Sequence, residues 1–270
     1  MRTEDWGEFD GPALLLGGPV GNLQALQAAL AEGAARGIPA GRTVCTGDLA
    51  AYCGRPADTA DLARRTGLRI VAGNMEQSLA AGRGDCDCGF EEGAACDLLA
   101  RAWFAHCDRD VGEGLRAWMG TLPSRAVFRQ SGRRYAVIHG GAREVNRFLW
   151  PTYPDAVLAE EIAALEADLG RLDGVVCGHS GLAFAREVEG RTWLNVGAVG
   201  LPAHDGDPRT RFAVIEDGSA EILFLDYDHE AAAADMREAG LIQGYERTLE
   251  CGWWPSEDVL PTALRRPSAA

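Results

Sequence analysis

The 270-residue chain has no lysine: its 26 basic residues are all arginine, and 40 acidic residues bring the formal charge to −14. Arginine alone in that role reads as the codon bias of a GC-rich genome. The shortage of cations argues against a nucleic-acid or anionic-membrane surface, because phosphate backbones are held by clustered positive charge. Also missing is any run near the ~20 apolar residues of a spanning helix. The acidic Met1–Asp10 segment lacks the apolar centre of a signal peptide. These absences predict a cytoplasmic protein with no membrane or nucleic-acid partner. In that compartment the eight cysteines would be reduced thiols or metal ligands, not disulfides. No internal repeat or long linker divides the chain, so residues 1–270 are read as one domain.

Short apolar runs ending in glycine alternate with helical spacing. Ala13–Leu16 reads as a buried strand, and Leu23, Leu26 and Leu30 as the helix after it. Arg42–Cys45, Leu68–Ala72, Tyr135–Ile138, Val175–Cys177, Thr192–Asn195, Phe212–Ile215 and Ile222–Leu225 are further strands. Asp61–Arg65, Leu98–Ala105, Gly114–Met119, a segment opening at Asp155 as N-cap, and His229–Glu238 are helical. Residues 76–132 are Gly- and Cys-rich before turning helical, and read as an insertion over one edge of a site. Alternation followed by strands in series predicts an α/β fold, a two-layered β core (β-sandwich) flanked by helices.

Dipeptides of chemical interest fall where strands end: Gly47-Asp48, Gly73-Asn74, His139-Gly140 and Gly178-His179. Before them stands Gly18-Pro19-Val20-Gly21-Asn22, and after them Asn195-Val196-Gly197-Ala198-Val199-Gly200 and Gly206-Asp207-Pro208-Arg209. In this order, across roughly residues 13–225, they resemble the signature of the calcineurin-like metallophosphoesterases. That resemblance implies phosphoester hydrolysis at a two-metal site, where ions about 4 Å apart bind phosphoryl oxygens and lower the pKa of a bridging water. It also implies Asp48 as the bridging carboxylate, and Asp48, Asn74, His139 and His179 as catalytic residues and ligands of one ion: Mn, Fe or Zn by donor type. The other ion's private ligands would stand at Gly18, Val20 and Gly181, which offer no donor atom. The family's histidine after Asn is Met75, a thioether that donates no proton.

The expectation is therefore a phosphoester hydrolase, phosphatase or phosphodiesterase, with one metal position lost and weak turnover. Restoring Gly18→Asp, Val20→His and Gly181→His together is expected to bring back a second ion. Its partner would be a small phosphorylated ligand. The alternatives are a catalytically inactive phospho-ligand or protein-binding module, and a metal or redox sensor. Hydrogen-bonded core histidines remain the alternative for His139 and His179. Arg209 is expected to face the anionic group; the alternative is a surface arginine paired with a carboxylate. Cys86 and Cys88, with Cys96 and Cys53, are candidates for Zn or an iron-sulfur centre. Cys107 is disfavoured because a helix over 96–107 would carry it about 16 Å away. Ordinary reduced thiols are the other reading.

Overall fold

In the computed structural model, which describes residues 1–266, eleven strands form two sheets. The six-stranded sheet runs β1 (Thr3–Phe9), β5 (Arg125–Gln130), β6 (Arg133–Val137), β7 (Gly174–Cys177), β9 (Arg191–Val196), β8 (Ala183–Val188). The five-stranded sheet runs β11 (Ser219–Leu225), β10 (Thr210–Glu216), β2 (Ala13–Leu16), β3 (Thr43–Cys45), β4 (Arg69–Ile70). Strand parity divides the core, because successive side chains point to opposite faces. Ala13 and Leu15 of β2 join Val44, Phe128, Val137, Val176 and Leu194 between the sheets. Leu14 and Leu16 face the other way, onto α1 (Leu23–Ala35), α2 (Pro56–Thr66), α3 (Asn74–Ala81) and α4 (Ala95–Asp110). On the far side, Ala136, Val175 and Trp193 pack against Leu158, Ile162 and Leu165 of α6 (Asp155–Leu169). The result is the expected pair of sheets flanked by helices. Each fully buried Leu or Phe contributes about 1.5–3 kcal/mol of apolar burial.

β2, β3 and β4 are mutually parallel, as are β6, β7 and β9. Their C-terminal loops therefore open on one edge, where ligands of open α/β sheets collect. Those loops carry residues 17–22, 46–48, 71–74, 138–140, 178–181 and 197–200. Asn22 closes the first one: its Oδ1 accepts from Ala25 N–H (3.0 Å), capping α1, while its Nδ2 donates to Gly200 O (3.0 Å).

Three strands and two helices were not visible as such in the sequence: β1, β5, β8, α3 and α8 (Tyr245–Cys251). β1 is acidic and buries only Trp6 and Phe9. Their three-residue spacing follows from a register shift between Asp5 and Glu8, at Gly7 with φ 77°. Asp155 is not the N-cap of α6; Pro154 holds that place without a side-chain bond, and Asp155 pairs with Arg186. α5 (Glu113–Met119) and α7 (His229–Glu238) stand where the sequence put helices. Expected fraying from Arg265 onward falls partly outside the described residues.

Candidate metal centre

Asp48 leaves β3 through Gly47, whose φ of 99° and close approach to Gly73 N (2.4 Å for an added Cβ) leave no room for a side chain. Asp48 itself is left-handed, φ 55°. The buried Glu76 carboxylate holds the turn by accepting from Asp48 N–H, Leu49 N–H and Gly73 N–H, each at 2.8 Å. One side chain thus ties the loop after β3 to the loop after β4. Burial first, then the nearby Asp48 charge, raise the Glu76 pKa against the pull of those three donors. The sequence alone assigns no role to Glu76; its bonds to Asp48 and Leu49, far along the chain, reveal one.

Asp48 Oδ1 accepts from Met75 N–H (3.2 Å), and Oδ2 lies 3.3 Å from His139 Nε2. His139 Nδ1 donates to Thr46 O (2.6 Å), since a carbonyl can only accept, so Nε2 faces the centre. It stands 3.0 Å from His179 Nδ1. One donor atom each from Asp48, His139 and His179 lie within 4.8 Å of one another. Burial favours a neutral His139 ring, but the Asp48 charge and hydrogen bond outweigh it and raise the pKa. Burial opposes ionisation of Asp48 as well, and the His139 charge prevails there, lowering it. His179, buried and beside a cationic neighbour, is pushed down to about 3.

The donor set fits a divalent ion. A carboxylate and two imidazoles suit Mn, Fe or Zn, and His179 is held in the neutral form that ligation requires. Two buried atoms of the expected ligands have no hydrogen-bond partner, Asn74 Oδ1 and His179 Nε2, although Asn74 is not part of the cavity lining. Asn74 sits between Gly73 and Met75, whose N–H groups bond Glu76 and Asp48. Its Nδ2 donates to Cys86 O (2.9 Å), leaving the oxygen free.

Gly18, Val20 and Gly181 line the same cavity as Asp48, His139 and His179. The three donorless positions are therefore in place at the same cavity, Gly18 directly beside Asp48. Gly181 has φ 74°, and a Cβ there would lie 3.1 Å from the Trp254 ring. Trp254 is fixed by its Nε1, donating to Pro202 O (2.8 Å), and by its N–H, donating to His204 Nδ1 (2.9 Å). Nothing local in the sequence ties Trp254 to this site. Met75 is fully buried in the helix-side core.

Two expectations are corrected. Arg209 does not line the cavity; it pairs with Asp207 (2.6 Å) and lies over the Phe224 ring (4.1 Å). The carboxylate two residues away in its own loop is the nearer partner. Nor are Cys53, Cys86, Cys88 and Cys96 gathered on one ion: Asp48, His139 and His179 are the one such cluster among the described residues. Cys86 and Cys88 form a disulfide across a Cα separation of 5.2 Å, contrary to the expectation of reduced thiols. Asp87 between them is left-handed, φ 50°, which turns the chain back on itself. Cys53 and Cys96 are free and buried, and Cys88 and Cys96 line the cavity.

The family model for the calcineurin-like phosphoesterase superfamily domain matches residues 22–218, and the chain belongs to that superfamily. Among solved structures it is similar to a metallophosphoesterase from Sphaerobacter thermophilus, at 22% identity and TM-score 0.66, covering 89% of this chain and 98% of that one. A hypothetical protein from Pyrococcus horikoshii is similar at 15% identity and TM-score 0.72, with the same coverage. At these identities the likeness is one of fold. No curated protein matches the chain.

Proposed function

We propose that the protein is a phosphoester hydrolase working with a single divalent ion, Mn, Fe or Zn, held by Asp48, Asn74, His139 and His179, and that its turnover is low. The observation carrying this reading is the one-sidedness of the donor set. Donor atoms of Asp48, His139 and His179 lie within 4.8 Å of one another, while Gly18, Val20 and Gly181 line the same cavity with no donor and Trp254 packs on Gly181. An ion at those donors supplies Lewis acidity toward a phosphoryl oxygen and lowers the pKa of a water. The chain's own part is to place that charge. Asp48 and the imidazoles fix its position, Thr46 O orients His139, and Glu76 fixes the backbone beneath Asp48. Apolar and aromatic side chains on the remaining wall exclude bulk water. With the second position empty of donors, one side of an in-line displacement lacks its clamp, which points to slow turnover. Among the described residues no helix is long and apolar enough to cross a membrane. The −14 charge favours a small phosphoester substrate over nucleic acid or an anionic membrane, and cytoplasmic action is part of the same proposal.

Elemental analysis of the purified chain, alongside turnover of bis(p-nitrophenyl) phosphate with added Mn, tests the reading. One ion per chain and slow, ion-dependent hydrolysis are expected. Two ions per chain, or a rate matching two-metal relatives, would overturn it. One ion with no hydrolysis of any phosphoester would leave a binding module.

A further inference from the structure

The cavity at the centre encloses only about 50 Å³, room for a phosphoryl group and not for a ring, so an ester arm would lie over the half-buried Tyr52, Phe90 and Phe148 at its opening. Tyr52, Phe90, Phe148, Tyr245 and Trp254 supply five aromatic rings to it from separate stretches of chain, and no arginine lines it. Phe148 lies parallel to Trp150, with centroids 5.1 Å apart, and 4.5 Å from the His179 ring. Tyr52 and Tyr245 stand 4.8 Å apart, and burial raises both phenols well above their ordinary pKa, so their hydroxyls stay neutral.

We propose that this cavity selects phosphoesters bearing a single negative charge and an aromatic arm, and rejects polyphosphates. The proposal rests on the one-ion reading above. Sites for polyphosphates surround them with Arg and Lys forks. Here the wall carries one carboxylate and two imidazoles; Arg147, next to the lining Phe148, is paired with Glu161, and Arg209 and Arg211 are paired with Asp207 and Asp205. A divalent ion offset by Asp48 leaves one net positive charge, the complement of a phosphodiester monoanion. The arm beside the phosphorus then meets rings already arranged edge and face, and aromatic groups pack against such rings better than aliphatic ones.

The test is calorimetric titration of the full-length chain, with Mn in excess of every ligand, by diphenyl phosphate, dimethyl phosphate and ATP. Diphenyl phosphate should bind about tenfold or more tighter than dimethyl phosphate, from the added apolar area and ring contact. ATP should bind more weakly than diphenyl phosphate. In Phe148→Leu the diphenyl-to-dimethyl ratio should fall several-fold at unchanged ion content. Equal binding of the two diesters, or tighter binding of ATP, overturns the proposal. Failure of the one-ion reading shows separately, in ion content and turnover, and the same diester ratio is then read on the ion-free chain.

Discussion

Replacing Glu76 by Gln changes one oxygen to NH₂ at constant size, and three N–H groups at 2.8 Å register the change. The amide oxygen can take the place that serves both Asp48 and Gly73. The Leu49 N–H then faces an NH₂ group and stays unpaired in a fully buried setting, at about 1–3 kcal/mol. The two surviving bonds lose their charge, weakening by roughly 1 kcal/mol each. Together these give a loss of about 3–5 kcal/mol, a large part of the ~5–15 kcal/mol by which domains are stable. Urea unfolding should show it as a lower midpoint at unchanged slope. Because the same bonds set the backbone of Asp48 and Gly73, ion affinity should fall together with stability. A loss under about 1 kcal/mol with ion uptake intact would refute the reasoning. It would mean that Glu76 is neutral at the working pH, as burial and the Asp48 charge favour, and is already the isostere of Gln.

Two further outcomes follow from the strand-to-loop geometry. His204 accepts from Trp254 N–H through Nδ1 and lies 2.8 Å from Glu257 through Nε2, with Arg266 and Asp205 nearby. Burial lowers its pKa below the ordinary value of about 6.5 despite Glu257. The unfolded chain therefore binds the proton first, so stability is full above pH ~6.5 and declines as pH falls from there toward the folded pKa. Tryptophan fluorescence through an acid titration should report this, and His204→Phe should remove it; an unchanged profile in that variant would sink the assignment. The triple change Gly18→Asp, Val20→His, Gly181→His should not restore a second ion by itself, contrary to what the sequence suggests. A histidine at 181 meets φ 74° and the Trp254 ring, and should cost stability. Adding Trp254→Ala should be needed before elemental analysis finds two ions per chain; two ions in the triple variant alone would show the indole to be no obstacle.

What the sequence made legible follows from the range of each signal. The bounds of α7, His229–Glu238, match their prediction, because capping by Asp228 and helical periodicity are local. Asp48, His139 and His179 were recoverable through the resemblance of the short motifs that carry them; each follows a short apolar strand, and parallel pairing carries those strand ends to one edge. Edge strand β1 was hidden by Glu4, Asp5 and Glu8, whose side chains need not be buried on an edge. α3 is hidden in the sequence because its opening residues Asn74, Met75 and Glu76 read as a motif rather than as a first turn. Glu76, Trp254 and the pairing of Arg209 depend on which atoms meet after folding. Of these, only the Asp207–Arg209 pair was close enough in sequence to weigh beforehand.

Trp254 gives the donorless wall its physical meaning. Had Gly18, Val20 and Gly181 merely lacked ligands, the site would keep a polar, water-filled space that an ion could enter on its remaining carboxylate. Instead an indole held at both its backbone and ring nitrogens lies against Gly181, and only 8% of it is exposed. Charge brought into such surroundings loses hydration that no protein donor returns. The same packing that discourages a second ion supplies the apolar surface on which an aromatic arm can rest. A one-ion centre and an uncharged, aromatic wall are thus two consequences of one arrangement. Removing Trp254 alone tests the second of these: Trp254→Ala should weaken diphenyl phosphate binding while leaving a single ion at Asp48, His139 and His179 in place.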